Sequence, residues 1–170
     1  MKKILLTCIA LVVFSLPVTA QAHLFWLIPE PAVSETGKPV QVEIGFGHKF
    51  PKDEELKAER LQFFKVIGPD GKELPLKQLS AVRSEFIPTM NGTYLVVAQM
   101  RPGFVSRTPE GMKMASKKEA PTASNCFRFD FAAKTLVTIG PTAPGFDRSG
   151  PASVEIIPLT SPAALKVGEE

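Results

Sequence analysis

Apolar and polar residues alternate with a period of two along much of the chain. Val40, Val42, Ile44 and Phe46 alternate with Gln41, Glu43, Gly45 and Gly47, the spacing of a strand with one buried face. Residues 61–67 run into Gly68-Pro69-Asp70-Gly71 and then residues 72–76. That predicts a hairpin, because Pro and Asp-Gly supply the backbone angles of a tight turn. A second hairpin is expected from Ala81–Ile87 through Asn91-Gly92 to Thr93–Met100, since Asn-Gly is the preferred two-residue hairpin turn. Phe127, Phe129 and Phe131 alternate with Arg128 and Asp130, Thr135–Ile139 is a β-branched run, and Ser153–Ile157 reads as the last strand. Between Pro102 and about Asn125 the periodicity lapses, and a long irregular, exposed excursion is expected. Helix is expected only in the short charged segment Asp53–Arg60. About seven short strands with turn chemistry between them predict an all-β chain folded as an antiparallel β-sandwich.

The N-terminus breaks this pattern. Lys2 and Lys3 precede an apolar run from Ile4 to Phe14, a helix-breaking Pro17, and Ala20-Gln21-Ala22. Together they form a secretory signal peptide with a small-x-small cleavage site, too short to remain as a membrane span. The expected organisation is a signal peptide at 1–22, a β-sandwich domain at 23–160 and a C-terminal tail at 161–170. Cleavage after Ala22 would leave 148 of the 170 residues, with no membrane span and a periplasmic destination. The formal charge of +3 then shrinks, because loss of Lys2 and Lys3 leaves 18 basic against 17 acidic side chains. Nucleic-acid binding loses its electrostatic basis. Cys8 departs with the leader, and Cys126 alone cannot form an internal disulfide. The core must hold the fold unaided, which a chain of this size can do by burying roughly 70% of its unfolded surface.

Catalytic tools are sparse. The chain has no Gly-rich phosphate loop, no Cys-x-x-Cys, no His-Glu-x-x-His and no Gly-x-Ser-x-Gly, so no enzymatic activity is expected. Its two histidines are His23 and His48. Cleavage would make His23 the first residue, and a free α-amine with the imidazole of the same residue closes a chelate ring on one ion. His48, after Gly45-Phe46-Gly47, would complete a three-nitrogen set suited to Cu, Ni, Co or Zn. If the strand opening at His23 pairs antiparallel with the one ending at His48, both fall at the same end of a sheet. Met100, Met112 and Met114 are weaker donors, read as packing or surface residues. Cys126 reads as a small apolar residue, Glu54 and Glu110 as solvated carboxylates that could supply an oxygen, and Phe25 and Trp26 as core anchors. Lys113, Lys117 and Lys118 read as a solvated loop face.

At these residues the chain resembles a family of exported bacterial proteins described as periplasmic components of cobalt and nickel uptake systems. The resemblance rests on Ala22-His23-Leu24-Phe25-Trp26-Leu27-Ile28-Pro29, Gly47-His48-Lys49-Phe50 and Gly92-Thr93-Tyr94. It continues through Arg101-Pro102-Gly103-Phe104, Thr108-Pro109-Glu110-Gly111, Phe131-Ala132-Ala133-Lys134 and Val154-Glu155-Ile156-Ile157-Pro158-Leu159. It implies an immunoglobulin-like sandwich handling a transition metal outside the cytoplasm, with the two family-type histidines at His23 and His48. Fuller members continue past the last of these segments into a further β-region.

The resulting expectation is a periplasmic carrier that binds nickel or cobalt through His23 and His48 and passes it to a membrane metal transporter. A solvent molecule or a nearby carboxylate would complete the shell. Imidazole and amine protonation is expected to release the ion as the pH falls. Alternatives are a copper carrier using the same N-terminal histidine brace and a metal-free β-sandwich interaction module. Copper-dependent oxidation by the brace ranks below both.

Overall fold

The computed structural model describes residues 23–51, 54–141, 144–164 and 168. The expected leader at 1–22, Asp53 at the start of the expected helix, and part of the tail expected at 161–170 lie outside these residues. The chain runs through β1 (Leu24–Glu30), β2 (Val33–Ser34), β3 (Val40–Gly47), β4 (Leu61–Ile67), β5 (Glu73–Leu74) and β6 (Lys77–Gln78). It continues through β7 (Arg83–Phe86), β8 (Gly92–Met100), β9 (Gly103–Thr108), β10 (Gly111–Lys113), β11 (Asn125–Phe129) and β12 (Ala132–Ile139). Helix among the described residues is confined to 3₁₀ turns at Ala58–Arg60 and Pro162–Ala164. The helix expected from Asp53 therefore shrinks to its last turn.

Two sheets form the sandwich, in the orders β1-β3-β7-β6 and β2-β12-β8-β4-β5. Followed in chain order, this is the immunoglobulin arrangement, with strands A, B, E and D in one sheet and C, F and G in the other. The core lies between them: Leu27, Val40, Val42, Ile44, Phe46 and Phe86 from one sheet meet Val66, Tyr94, Val96, Ala98, Met100, Val137 and Ile139 from the other. The alternation read at 40–46 is thus the buried face of β3. Each such side chain, when fully buried, contributes roughly 1.5–3 kcal/mol.

Three details differ from the sequence reading. The segments 81–87 and 93–100 do not form a hairpin, because β7 pairs with β3 while β8 lies in the other sheet between β4 and β12. The Tyr94 hydroxyl, fully buried, accepts from the N–H groups of Thr89 (3.0 Å) and Met90 (3.1 Å) and donates to the Met90 carbonyl (3.0 Å). This tyrosine corner carries the chain across the sandwich. Gly92 is needed there because its φ is +134° and a Cβ would meet the Pro69 ring at 2.7 Å.

The stretch after Pro102 leaves the sandwich, but its first half is ordered. β9 pairs with β10 and also with β11, making a third sheet of order β10-β9-β11. Residues 114–124 between β10 and β11 form no strand.

Ser153–Ile157 forms no strand either. This segment lies against the outer face of the second sheet, at Gln99 of β8 and Lys134 of β12. Ser153 N–H donates to Gln99 Oε1 (2.9 Å), and Lys134 Nζ lies 3.1 Å from Glu155 Oε2 with both side chains buried. Glu155 also accepts from the N–H groups of Gly150 and Ala152. The Ser153 N–H is thus spent on a side chain and not on a β-ladder, while the Glu155 carboxylate ties down the turn ahead of it.

Candidate metal centre

β1 and β3 run antiparallel with Leu24 opposite Gly47, Trp26 opposite Gly45 and Leu27 opposite Ile44. One further step brings His23 beside His48. Because side chains alternate across a strand, His23 shares the inward face of Phe25 and Leu27, and His48 that of Ile44 and Phe46. Both imidazoles therefore sit at the mouth of the sandwich core. Their ring centroids are 4.3 Å apart, and His23 also stacks on Phe46 at 5.2 Å with 17° between the planes.

The third member is Glu54. Its backbone N–H donates to the Phe46 carbonyl (3.3 Å), folding the loop after His48 back onto the end of β3. Leu56, buried, pins the next turn. On the outer face of the sheet, Trp26 Nε1 donates to the Pro51 carbonyl at 3.0 Å. The indole reaches that carbonyl by lying over Gly45, where a Cβ would come within 2.1 Å of Nε1. A glycine in the strand thus admits the tryptophan that holds the loop.

Glu54 Oε1 lies 2.8 Å from His23 Nε2 and 3.4 Å from His48 Nδ1. One carboxylate oxygen bridges the two imidazoles, all three side chains being partly exposed. Ligand atoms of the three residues lie within 4.8 Å of one another. Donors on a tetrahedral ion, each about 2.1 Å from it, are about 3.4 Å apart, close to the 2.8 and 3.4 Å that separate Glu54 Oε1 from the two imidazole nitrogens. Two imidazoles and a carboxylate are the donor chemistry of a borderline divalent ion such as Ni, Co, Cu or Zn. The set fits a metal.

The structure thus brings His23 and His48 together and adds Glu54, one of the two carboxylates that the sequence offers as an oxygen donor. The other donors lie apart. Met100 is buried in the core and Met112 is exposed on β10. Met114 lines a cavity of about 650 Å³ that His23 and Glu54 also line. Cys126 is half-buried on β11 opposite Ser106. Glu110 is occupied at the β9–β10 turn, where the Thr108 hydroxyl and Lys113 hold its carboxyl below the ordinary range. Lys117 bends back onto the Ala123 carbonyl instead of joining a solvated lysine face. Trp26 is less a core anchor than a clamp on the loop.

Fold and site together define an immunoglobulin-like β-sandwich with a His-His-Glu cluster at one end of its first sheet. The chain belongs to the DUF4198 family, described as a domain of unknown function, whose model matches residues 20–170. No curated protein matches it. Among solved structures it is similar to a DUF4785 family protein from Legionella pneumophila, at 10% identity and a TM-score of 0.34. That match covers 66% of this chain and 27% of the other, so this chain spans little more than a quarter of its length.

Proposed function

We propose that the protein is an exported carrier of a divalent transition ion, nickel or cobalt, which it holds outside the cytoplasm for a membrane metal transporter. The observation that carries this reading is the convergence of His23, His48 and Glu54 within 4.8 Å at the open end of the sandwich. A pair of isolated surface histidines has no reason to share one carboxylate oxygen. Export would add a donor, since removal of residues 1–22 frees the His23 amine to chelate an ion with Nδ1 of its own imidazole, a pose in which the ring turns from the Nε2 contact with Glu54. The cluster binds and releases an ion; the role proposed is carriage, not catalysis.

Copper is the second reading, favoured by one observation: the Met114 thioether lines the same cavity as His23, and thioethers select soft Cu(I). The test is competitive titration of Ni(II), Co(II), Cu(II) and Zn(II) into protein whose mass shows a start at His23, against a control with one extra residue ahead of it. Tight binding weakened strongly by the extra residue supports the terminal chelate, and the order of affinities decides between the metals. Absence of binding by the processed protein refutes the carrier and leaves the interaction module.

A further inference from the structure

Beside the cluster lies more room than a metal ion uses. The cavity of about 650 Å³ runs between the open end of the sandwich and the third sheet, whereas a water molecule takes up only about 30 Å³ in the liquid. Phe46, Phe129 and Phe131 line it, with ring centroids of Phe46 and Phe131 6.0 Å apart and of Phe129 and Phe131 5.7 Å apart. Two arginines, Arg60 and Arg101, line it as well.

The arginines are placed by the fold. Arg60 closes the 3₁₀ turn at Ala58–Arg60, and its guanidinium carbon lies 5.2 Å from the centroid of the Phe46 ring on which His23 stacks. Arg101 follows β8 directly; its N–H donates to the Arg60 carbonyl (2.7 Å) and its Nε to the Glu59 carbonyl (3.0 Å). Those bonds fix the two residues side by side and leave the terminal nitrogens of Arg101 for a ligand, since Nε is the atom it commits among the described residues.

The charge count is informative. Among the described residues lining the cavity, the carboxylates of Glu54 and Glu59 balance Arg60 and Arg101. A divalent ion on His23, His48 and Glu54 then brings two positive charges into a half-enclosed site already holding two guanidiniums. Repulsion from guanidiniums lining the same cavity disfavours a bare cation. An anion arriving with the metal removes the conflict, and arginine is the side chain whose planar fork matches a carboxylate. Three protein side chains also leave coordination positions open to a second ligand.

Resting on the carrier reading, we propose that the protein takes its metal as a complex with a small organic polycarboxylate. The carboxylate ligates the same ion from the cavity side. Its remaining oxygens are held by Arg60 and Arg101, and its carbon skeleton lies against the phenylalanines.

The test is equilibrium dialysis of the processed protein with labelled citrate as the probe, with and without Ni(II), nickel retention being read separately without citrate. One citrate retained per protein-bound nickel is expected, with retention falling about tenfold or more when nickel is omitted. Arg60→Met should lower citrate retention about tenfold yet raise affinity for aquated nickel, since a positive charge leaves the neighbourhood of the ion. A variant that merely misfolds would lose both. Nickel that binds alone but is stripped by citrate, or citrate retained equally without nickel, overturns the proposal and leaves the carrier standing. Failure to retain nickel either alone or with citrate removes the carrier reading and this one with it.

Discussion

A methyl group at position 45 would have to occupy space already taken by the Trp26 indole and the Pro51 carbonyl, the nearest atoms lying 2.1 and 2.7 Å from it. Gly45→Ala should therefore expel the indole, break its bond to Pro51 and loosen the loop that presents Glu54. The expected cost is about 2–3 kcal/mol in chemical denaturation, with metal affinity falling at least about tenfold by titration. Glu54→Gln should separate the two effects. Its partly exposed contacts with the histidines are worth at most about 1 kcal/mol to the fold, so the melting temperature should barely change. Loss of an anionic ligand should still weaken the ion by about tenfold or more, which competition titration would read. An equal fall in both quantities would make Glu54 a structural residue. Position 54 also marks a limit of the sequence: His23 and His48 stand out as the only histidines, whereas Glu54 is one acidic residue of 17. Its place depends on a backbone bond to Phe46 that no local pattern announces.

Among the elements, those with alternating or continuous apolar runs, β3, β4, β8 and β12, were legible in the chain because burial on a pleated surface imposes period two. The errors arose where a side chain redirected the backbone. Asn91-Gly92 has the composition of a hairpin turn, but the buried Tyr94 hydroxyl uses the backbone groups of Thr89 and Met90 to route the chain to the other sheet. Ser153–Ile157 has strand spacing, but its Ser153 N–H goes to the Gln99 side chain and Glu155 turns to Lys134 and the N–H groups of the preceding turn. β9 was hidden because its partner β11 lies far along the chain and neither strand has a long apolar run. The Glu155 arrangement also sets a pH dependence. Burial alone would push this carboxyl up, but the N–H groups of Gly150 and Ala152 and the Lys134 ammonium together hold it below the ordinary carboxylate range. The unfolded chain then takes up the proton more readily, so the stabilisation is complete above that range and disappears as the pH falls through it to the lower folded value. Urea unfolding at a series of acid pH values should show this loss, and Glu155→Gln should flatten it. Glu155→Ala should cost about 1–3 kcal/mol at neutral pH, because it leaves the Lys134 ammonium with the Arg148 carbonyl and no countercharge.

At the scale of the whole molecule, the third sheet is an insertion between β8 and β12, the connection that joins strands F and G at one end of an immunoglobulin sandwich. Arg101 stands at its entry, and Phe129 and Phe131 at its exit. The two main sheets close their core without it, since none of the core residues comes from β9, β10 or β11. Replacing residues 104–127 with a short Gly-Ser linker should therefore leave cooperative unfolding intact, which calorimetry would show. Retention of citrate on the nickel-loaded protein should fall with the loss of the cavity wall. Broad, non-cooperative melting would instead make the insertion part of the folding unit.

The clamp formed by Trp26 has an optical consequence. The chain contains one tryptophan, and its indole N–H is bonded to the loop that carries Glu54. Fluorescence excited at the red edge of the indole band therefore comes from one address, beside the cluster and with no second emitter to dilute it. Occupation of the cluster by paramagnetic Ni(II), Co(II) or Cu(II) should darken that emission, whereas diamagnetic Zn(II) should shift it without darkening. The molecule carries its own lamp for watching the cluster fill, and no dye need be attached to see it.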